Sequence, residues 1–271
     1  MQTFRPRPLV SFDHGHPAES ARMLPEEVAV ALSYNGSTHA VMMATPADLE
    51  DFGYGFSLTE GIAAPEEIES LEIVETELGL DLQMWLRPEA HGRLARRRRT
   101  MAGPVGCGLC GIDSLEEATR KLRPVAETGL ALSSAQVQSA VASLPRHQPL
   151  QDVTRAVHAA AFWSAERGLA VLREDVGRHN ALDKLAGALH RENINPELGA
   201  VIITSRVSID MVQKTAALGV PVLVAVSAPT TAAVSLAEAS GITLVALARE
   251  SRFEVYSRSD RIFPEEATHV A

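Results

Sequence analysis

The sequence predicts an α/β protein: a helix-covered sheet in the C-terminal part, preceded by a β-rich α+β region. Three observations carry this. The apolar runs 200–204, 220–226 and 242–248 are hydrophobic on both faces, as strands of a mostly parallel, doubly covered sheet are. The segments between them, 209–218 and 231–240, have helical periodicity and end at Gly219 and Gly241, the residue type that closes a helix. Residues 1–100 show short alternating runs around turn signals instead, chiefly Asn35-Gly36.

Taken in order, residues 1–25 are aperiodic and contain Pro, Arg and His, which predicts a flexible lead-in or an edge strand. Runs at 28–33 and 39–43 flank Asn35-Gly36 as a hairpin. Thr45 is placed to cap a helix with Pro46 at its first position; Leu49, Phe52 and Phe56 mark its buried stripe and Gly61 its end. Residues 68–77 and 82–87 read as a second strand pair. Ser114-x-x-Glu117 and Ser133-x-x-Gln136 are capping boxes that open helices, the second stopped by Pro145. The alanine-rich stretch 152–164 reads as a buried helix. A strand at 169–173 and a helix at 180–191 precede the alternating strands and helices above, and 253–256 reads as an edge strand. The expected organisation is a β-rich region 1–100, a cysteine loop with connecting helices 101–150, and an α/β domain 151–271.

With 46% apolar and 22% charged residues the composition is that of a globular protein, and with 4% aromatics the core must be built from Leu, Val, Ile and Ala. A net charge of −9 argues against a general nucleic-acid binder. The N-terminus lacks the apolar core of a signal peptide, and no apolar run reaches the about 18 residues of a membrane span. Cysteine scarcity fits a reducing compartment, so a cytoplasmic protein with no membrane partner is expected.

The only two cysteines, Cys107 and Cys110, lie in Gly106-Cys107-Gly108-Leu109-Cys110-Gly111. Arg96 to Arg99 precede them and a helix start follows, and both favour thiolate. Sulfur transfer, thiol–disulfide exchange, structural zinc and inert loop thiols all remain open. No thioredoxin-like strand and Trp precede the pair, and a closed zinc site needs two more ligands, from His158 and His179 or from a second subunit. His158 reads more simply as a satisfied core histidine.

Three polar clusters join strand ends to helix starts: 173–180 followed by Asp183 and Lys184, then 204–208, then 227–231. Ser208, Thr230 and Asn180 would serve there as N-caps. Free N–H groups at such positions favour anions, and Arg178, His179, Arg206 and Ser227 add charge and donors, so a phosphorylated ligand is the natural guest.

Several blocks together resemble the formate dehydrogenase accessory sulfurtransferases, the FdhD family. They are Tyr34-Asn35-Gly36, Thr45-Pro46-Ala47-Asp48-Leu49, Thr59-Glu60-Gly61, the cysteine loop, Val157-His158-Ala159-Ala160, the run Glu174 to Lys184, Ser227-Ala228-Pro229-Thr230 and Gly241-Ile242-Thr243-Leu244. The resemblance implies a cytidine-deaminase-like layered sheet-and-helix domain and a homodimer. It also implies a sulfur shuttle from a cysteine desulfurase to the bis(molybdopterin guanine dinucleotide) molybdenum cofactor of a formate dehydrogenase. A cofactor chaperone without sulfur transfer is the alternative. Cys107 maps to the persulfide carrier, with Cys110 assisting or carrying sulfur in turn. Leu247-Ala248-Arg249-Glu250-Ser251-Arg252 map to a cofactor-contacting segment, in which the family commonly carries Phe where Leu247 stands. No permanently bound metal is expected. The His-x-Glu and Pro-Cys-x-x-Cys signatures of zinc deaminases are absent, so deamination is not expected.

Overall fold

The computed structural model describes residues 1–101, 122 and 124–264, with backbone alone for 96–101. Cys107, Cys110 and the Ser114 capping box lie outside the described residues.

Residues 1–25 form neither a lead-in nor a single edge strand. They fold back as an antiparallel ribbon of β1 (Phe4–Asp13) and β2 (His16–Pro25). His14 and Gly15 turn it with positive φ of 46° and 86°. The Asn35-Gly36 hairpin forms as expected between β3 (Val28–Tyr34) and β4 (Ser37–Ala44). With β5 (Ile68–Thr76) and β6 (Gly79–Leu86) it makes a four-stranded sheet of order β4-β3-β6-β5. One face of this sheet, through Val30, Leu32, Leu82 and Met84, packs on Phe52 and Phe56 of α1 (Leu49–Thr59). Helix α2 (Pro88–Met101) adds Ala90 and Leu94 to the same core.

Thr45 does not cap α1. The helix starts at Leu49, and Asp48 occupies the cap position with φ of 51° and no side-chain bond to the helix backbone. Thr45 is instead fully buried, and its N–H and hydroxyl both bond residues some 130 positions away. A tertiary contact therefore takes the hydroxyl that local capping would have used.

The Ser133 capping box does form. Gln136 N–H donates to Ser133 Oγ at 3.1 Å, and Ser133 N–H donates to Gln136 Oε1 at 2.8 Å, opening α3 (Ser134–Ser143). The preceding β7 (Leu132–Ser133) pairs in parallel with β14 (Ile262–Phe263).

The stretch 152–164 is not one helix. Its start belongs to the short α4 (Pro149–Thr154), and the rest is β8 (His158–Ser164), a strand inside the main sheet. A run of Ala, Phe and Trp buried on both faces has no alternation to betray a strand, so periodicity alone misassigns it.

The main sheet runs β13-β12-β11-β10-β8-β9, built from β9 (Gly168–Asp175), β10 (Ala200–Ile203), β11 (Val222–Ala225), β12 (Thr243–Ala246) and β13 (Glu254–Ser257) around β8. Only β10, β11 and β12 pair in parallel, so the sheet is mixed rather than mostly parallel. Helices α5 (Arg178–Arg191), α6 (Ile209–Ala217) and α7 (Thr231–Ala239) cover one face through Leu182, Leu185, Met211, Val212, Ala233 and Ala237. Helix α3 covers the other through Val137, Ala140 and Val141.

The two sheet layers are joined where α1 crosses α5. A Cβ on Gly55 would lie 1.7 Å from the Asp183 carbonyl oxygen, and one on Gly187 would lie 1.9 Å from that of Asp51. Only glycine permits this backbone approach.

Candidate functional site

Strand β8 runs antiparallel to both β9 and β10, so β9 to β12 all point the same way. Their carboxyl ends therefore share one edge, together with the start of β8. That edge gathers His158, then Arg178 and His179 at the start of α5, then Thr204 to Ser208, Val226 to Thr230, and Leu247 to Arg252. All three polar clusters expected at strand ends reach it.

The loops there are tied to one another by backbone. Val207 N–H donates to Ala228 O at 3.1 Å, and Thr230 N–H donates to Val207 O at 3.0 Å. Leu247 N–H donates to Ser227 O, and Ala248 N–H to Ala225 O, both at 3.1 Å. Leu247 is held with φ of 49°, a conformation strained for a leucine. Ala248 is fully buried and acts as a backbone spacer. Arg249 is exposed but anchored, because its Nη1 donates to Val226 O and Ala248 O. Glu250, Ser251 and Arg252 are exposed, and Arg252 pairs with Glu254 at 2.6 Å.

Arg178 and His179 lie beside His158 and Asp210. His179 Nε2 stands 3.5 Å from Asp210 Oδ2, without hydrogen-bond geometry. Ser208 Oγ donates to the same carboxylate at 3.2 Å. His179, more than burial opposes, holds the Asp210 carboxyl below the ordinary aspartate range. Burial, with the charges of Arg178 and His179, pushes His158 below the ordinary histidine range. Arg206 projects exposed from the neighbouring loop. Among the described residues neither Arg178 nor Arg206 has an ion-pair partner. The edge is thus cationic, with free guanidinium donors beside helix N-termini, and it suits an anionic ligand.

Of the caps expected here, Thr230 Oγ1 does accept from Ala233 N–H, at 3.2 Å. Ser208 occupies the cap position of α6, but its hydroxyl accepts no bond from the helix backbone. Asn180 is not a cap: Gly177 holds that position, and Asn180 lies inside α5.

Much of the Glu174 to Lys184 run serves architecture. Asp175 Oδ2 accepts from Lys184 Nζ at 2.6 Å and from Thr45 N–H at 3.0 Å. Its Oδ1 accepts from Gly177 N–H and Asn180 Nδ2. Asn180 and Lys184 also donate to the carbonyls of Met43 and Thr45, which fastens the four-stranded sheet to the main one. A second buried node joins Lys214 Nζ to Asp183, Thr59 and Glu60. Burial pushes the Asp183 carboxyl up; at Lys214 burial works downward, but the carboxylates of Asp183 and Glu60 more than offset it. Glu174 accepts from Leu150 and Gln151 N–H and so sets the start of α4.

Sequence reasoning missed His158 and Asp210 as members of this edge. His158 was hidden by the helical reading of 152–164, whereas on a strand it begins β8 opposite Asp175. Asp210 has only a weak signal, its spacing after Ser208. No cluster of three or more His, Cys, Asp or Glu able to hold a metal occurs among the described residues, and no helix among them is long and apolar enough to cross a membrane.

Comparison with known proteins gives a consistent result. The model of the FdhD/NarQ family matches residues 25–263. A sulfur carrier protein FdhD of Agrobacterium fabrum is 53% identical over 92% of this chain and 92% of its own. One of Cupriavidus necator is 50% identical over 88% of this chain and 82% of its own. The crystal structure of a protein from Desulfotalea psychrophila, described as a formate dehydrogenase accessory protein, superposes with a TM-score of 0.77. It is 27% identical and covers 97% of this chain and 100% of its own. With a family model spanning all but the ends and relatives of this identity, the chain belongs to the FdhD/NarQ family.

Proposed function

We propose that this protein is a sulfur carrier of the cytoplasm that moves persulfide sulfur from a cysteine desulfurase to the bis(molybdopterin guanine dinucleotide) molybdenum cofactor destined for a formate dehydrogenase. The observation that carries this reading is the cationic strand-end edge, in a chain with only two thiols whose relatives are sulfur carriers.

Cys107 thiolate attacks the outer sulfur of the donor's cysteine persulfide. The donor's S–S bond breaks, its cysteine leaves as thiolate, and a new S–S bond forms on Cys107. Cys110 thiolate then attacks Cys107 Sγ, and the terminal sulfur departs as sulfide to the metal. The two cysteines are left as a disulfide, having supplied the two electrons that reduce the sulfur. Such exchange is fastest when the attacking thiol has a pKa near ambient pH.

Arg178, His179, Arg206 and Ser227 would hold the acceptor's phosphates, with Arg249, already anchored by two carbonyls, presenting its remaining N–H groups. Leu247 would offer aliphatic rather than aromatic contact. The helix-covered mixed sheet is read as the cytidine-deaminase-like layering.

Peptide mass spectrometry after incubation with a desulfurase and cysteine tests the reading. One reducible extra sulfur on Cys107 is expected. No added sulfur, with guanine nucleotide still bound at the edge, would replace it by the cofactor chaperone.

A further inference from the structure

His158 is fixed within the strand-end edge, between the ends of β9 and β10. It opens β8 with Asp175 opposite it; β9 ends at Asp175, and α5 starts with Arg178 and His179. On the other flank, Thr204 N–H donates to Ala159 O at 3.1 Å, and Ala159 N–H donates to Thr204 Oγ1 at 3.0 Å. These bonds lock the backbone beside the ring to the end of β10. The imidazole is half-buried, with Nδ1 3.5 Å from Thr204 Oγ1. The hydroxyl hydrogen is directed to Ala159 O at 3.5 Å, so the oxygen can accept from Nδ1–H. Nε2 is then the atom left to take a proton.

The groups around this ring are unbalanced in charge. Helix α5 brings Arg178 and His179, whose charges oppose protonation of His158. The loop after β10 adds Arg206, exposed to solvent. The carboxylates of the neighbouring elements are committed to other partners. Asp175 bonds Lys184 at 2.6 Å, and Glu174 accepts from Leu150 and Gln151 N–H. Asp210 accepts from Ser208 and stands beside His179. Asp152 and Arg155, at the end of α4, face each other at 3.6 Å. Burial and the two α5 cations therefore favour the neutral ring.

An anion at the edge reverses this balance. Its negative charge offsets Arg178 and His179, and in a half-desolvated site it attracts an imidazolium more strongly than it would in water. Arg178 and His179 flank the ring, so an anion that they hold lies against it.

We propose that His158 is a further binding residue of this edge: it takes a proton from solvent when a pyrophosphate ester binds, and the imidazolium then holds a phosphate oxygen through Nε2–H. By linkage, the ligand raises the proton affinity of His158 by the factor by which protonation tightens the ligand. The inference deepens the proposed function and rests on its placing of guanosine diphosphate groups at this edge.

GDP-mannose is the probe, because both its phosphates are esterified and neither gains or loses a proton near neutral pH. NMR of protein with carbon-13-labelled histidine follows the Cε1–H signal of His158, identified by its absence from His158→Gln. Its titration midpoint should rise by about one unit when GDP-mannose is bound, roughly tenfold in proton affinity. By calorimetry, the affinity advantage of the wild type over His158→Gln should grow about threefold from about pH 8 to about pH 6. A midpoint that stays or falls with GDP-mannose bound, or an advantage that does not change with pH, would overturn the role of His158 and leave the edge as a nucleotide site. Absence of GDP-mannose binding to the wild type would overturn that role and the placing of the nucleotide together.

Discussion

Lys184 and Asp175 form an ion pair sealed from water: Nζ donates to Oδ2 at 2.6 Å, and neither side chain is exposed. Each was legible only as part of a polar run. The fold uses them to fasten the start of α5 to the chain entering α1, across 130 residues of sequence. The strand-end edge depends on that join, because Arg178 and His179 sit between the two partners.

Removing one member should leave a buried uncompensated charge. Lys184→Met is expected to cost about 3–5 kcal/mol of unfolding free energy, measured by urea denaturation. A loss under about 1 kcal/mol would mean that the pair does not bear on stability.

The α1–α5 crossing predicts a steric result. Gly187→Ala places a Cβ 1.9 Å from the Asp51 carbonyl oxygen. Destabilisation of about 1–3 kcal/mol or more should follow, read as a lowered midpoint of thermal unfolding. Unchanged stability would show that the helices stand further apart.

Arg249 should matter for nucleotide and not for folding. Arg249→Ala is expected to weaken guanine nucleotide binding about 10- to 100-fold by calorimetry, the loss of one or two charge-assisted bonds. Equal affinity would remove Arg249 from the ligand site.

The two cysteines should separate by step. Cys107→Ala should accept no sulfur from a desulfurase and fail to activate formate dehydrogenase. Cys110→Ala should load Cys107 and then retain the sulfur. The reverse pattern by peptide mass spectrometry would exchange their roles.

His158 gives a pH dependence with a definite sign. Burial holds its folded pKa below the ordinary 6.5, so the unfolded chain binds the proton more readily. This histidine therefore costs no stability above pH 6.5 and an increasing amount as pH falls through 6.5 towards the folded value. His158→Gln should flatten the stability profile in that window. A slope unchanged by the substitution would show that His158 does not contribute.

Local order was largely readable in the chain. The Asn35-Gly36 hairpin, the Ser133 capping box, the helix ends at Gly219 and Gly241 and the strands 200–204 and 220–226 follow from short-range rules. Those rules act within a turn or two of backbone, and the residues that carry them sit beside the structure they cause. The cationic character of the strand ends was readable too, since Arg178 and Arg206 each lie within a few residues of a strand end.

The failures share a cause. Thr45 carries every local mark of a cap, and 152–164 every mark of a buried helix, yet both are decided by partners distant in sequence. A hydroxyl goes to whichever N–H the fold brings to it, and an alanine-rich run takes the conformation of the sheet neighbours that bury it. The sequence by itself determined which segments are apolar, where most turns and caps fall, and which side chains carry charge and sulfur. Only the tertiary structure decided that Asp175, Asn180 and Lys184 would be joints while Arg178 and His179, on the same few turns of helix, lie at the strand-end edge. One face of α5 points into a desolvated seam where polar groups must pair, while Arg178 and His179 at its start lie half-buried beside His158 and Asp210.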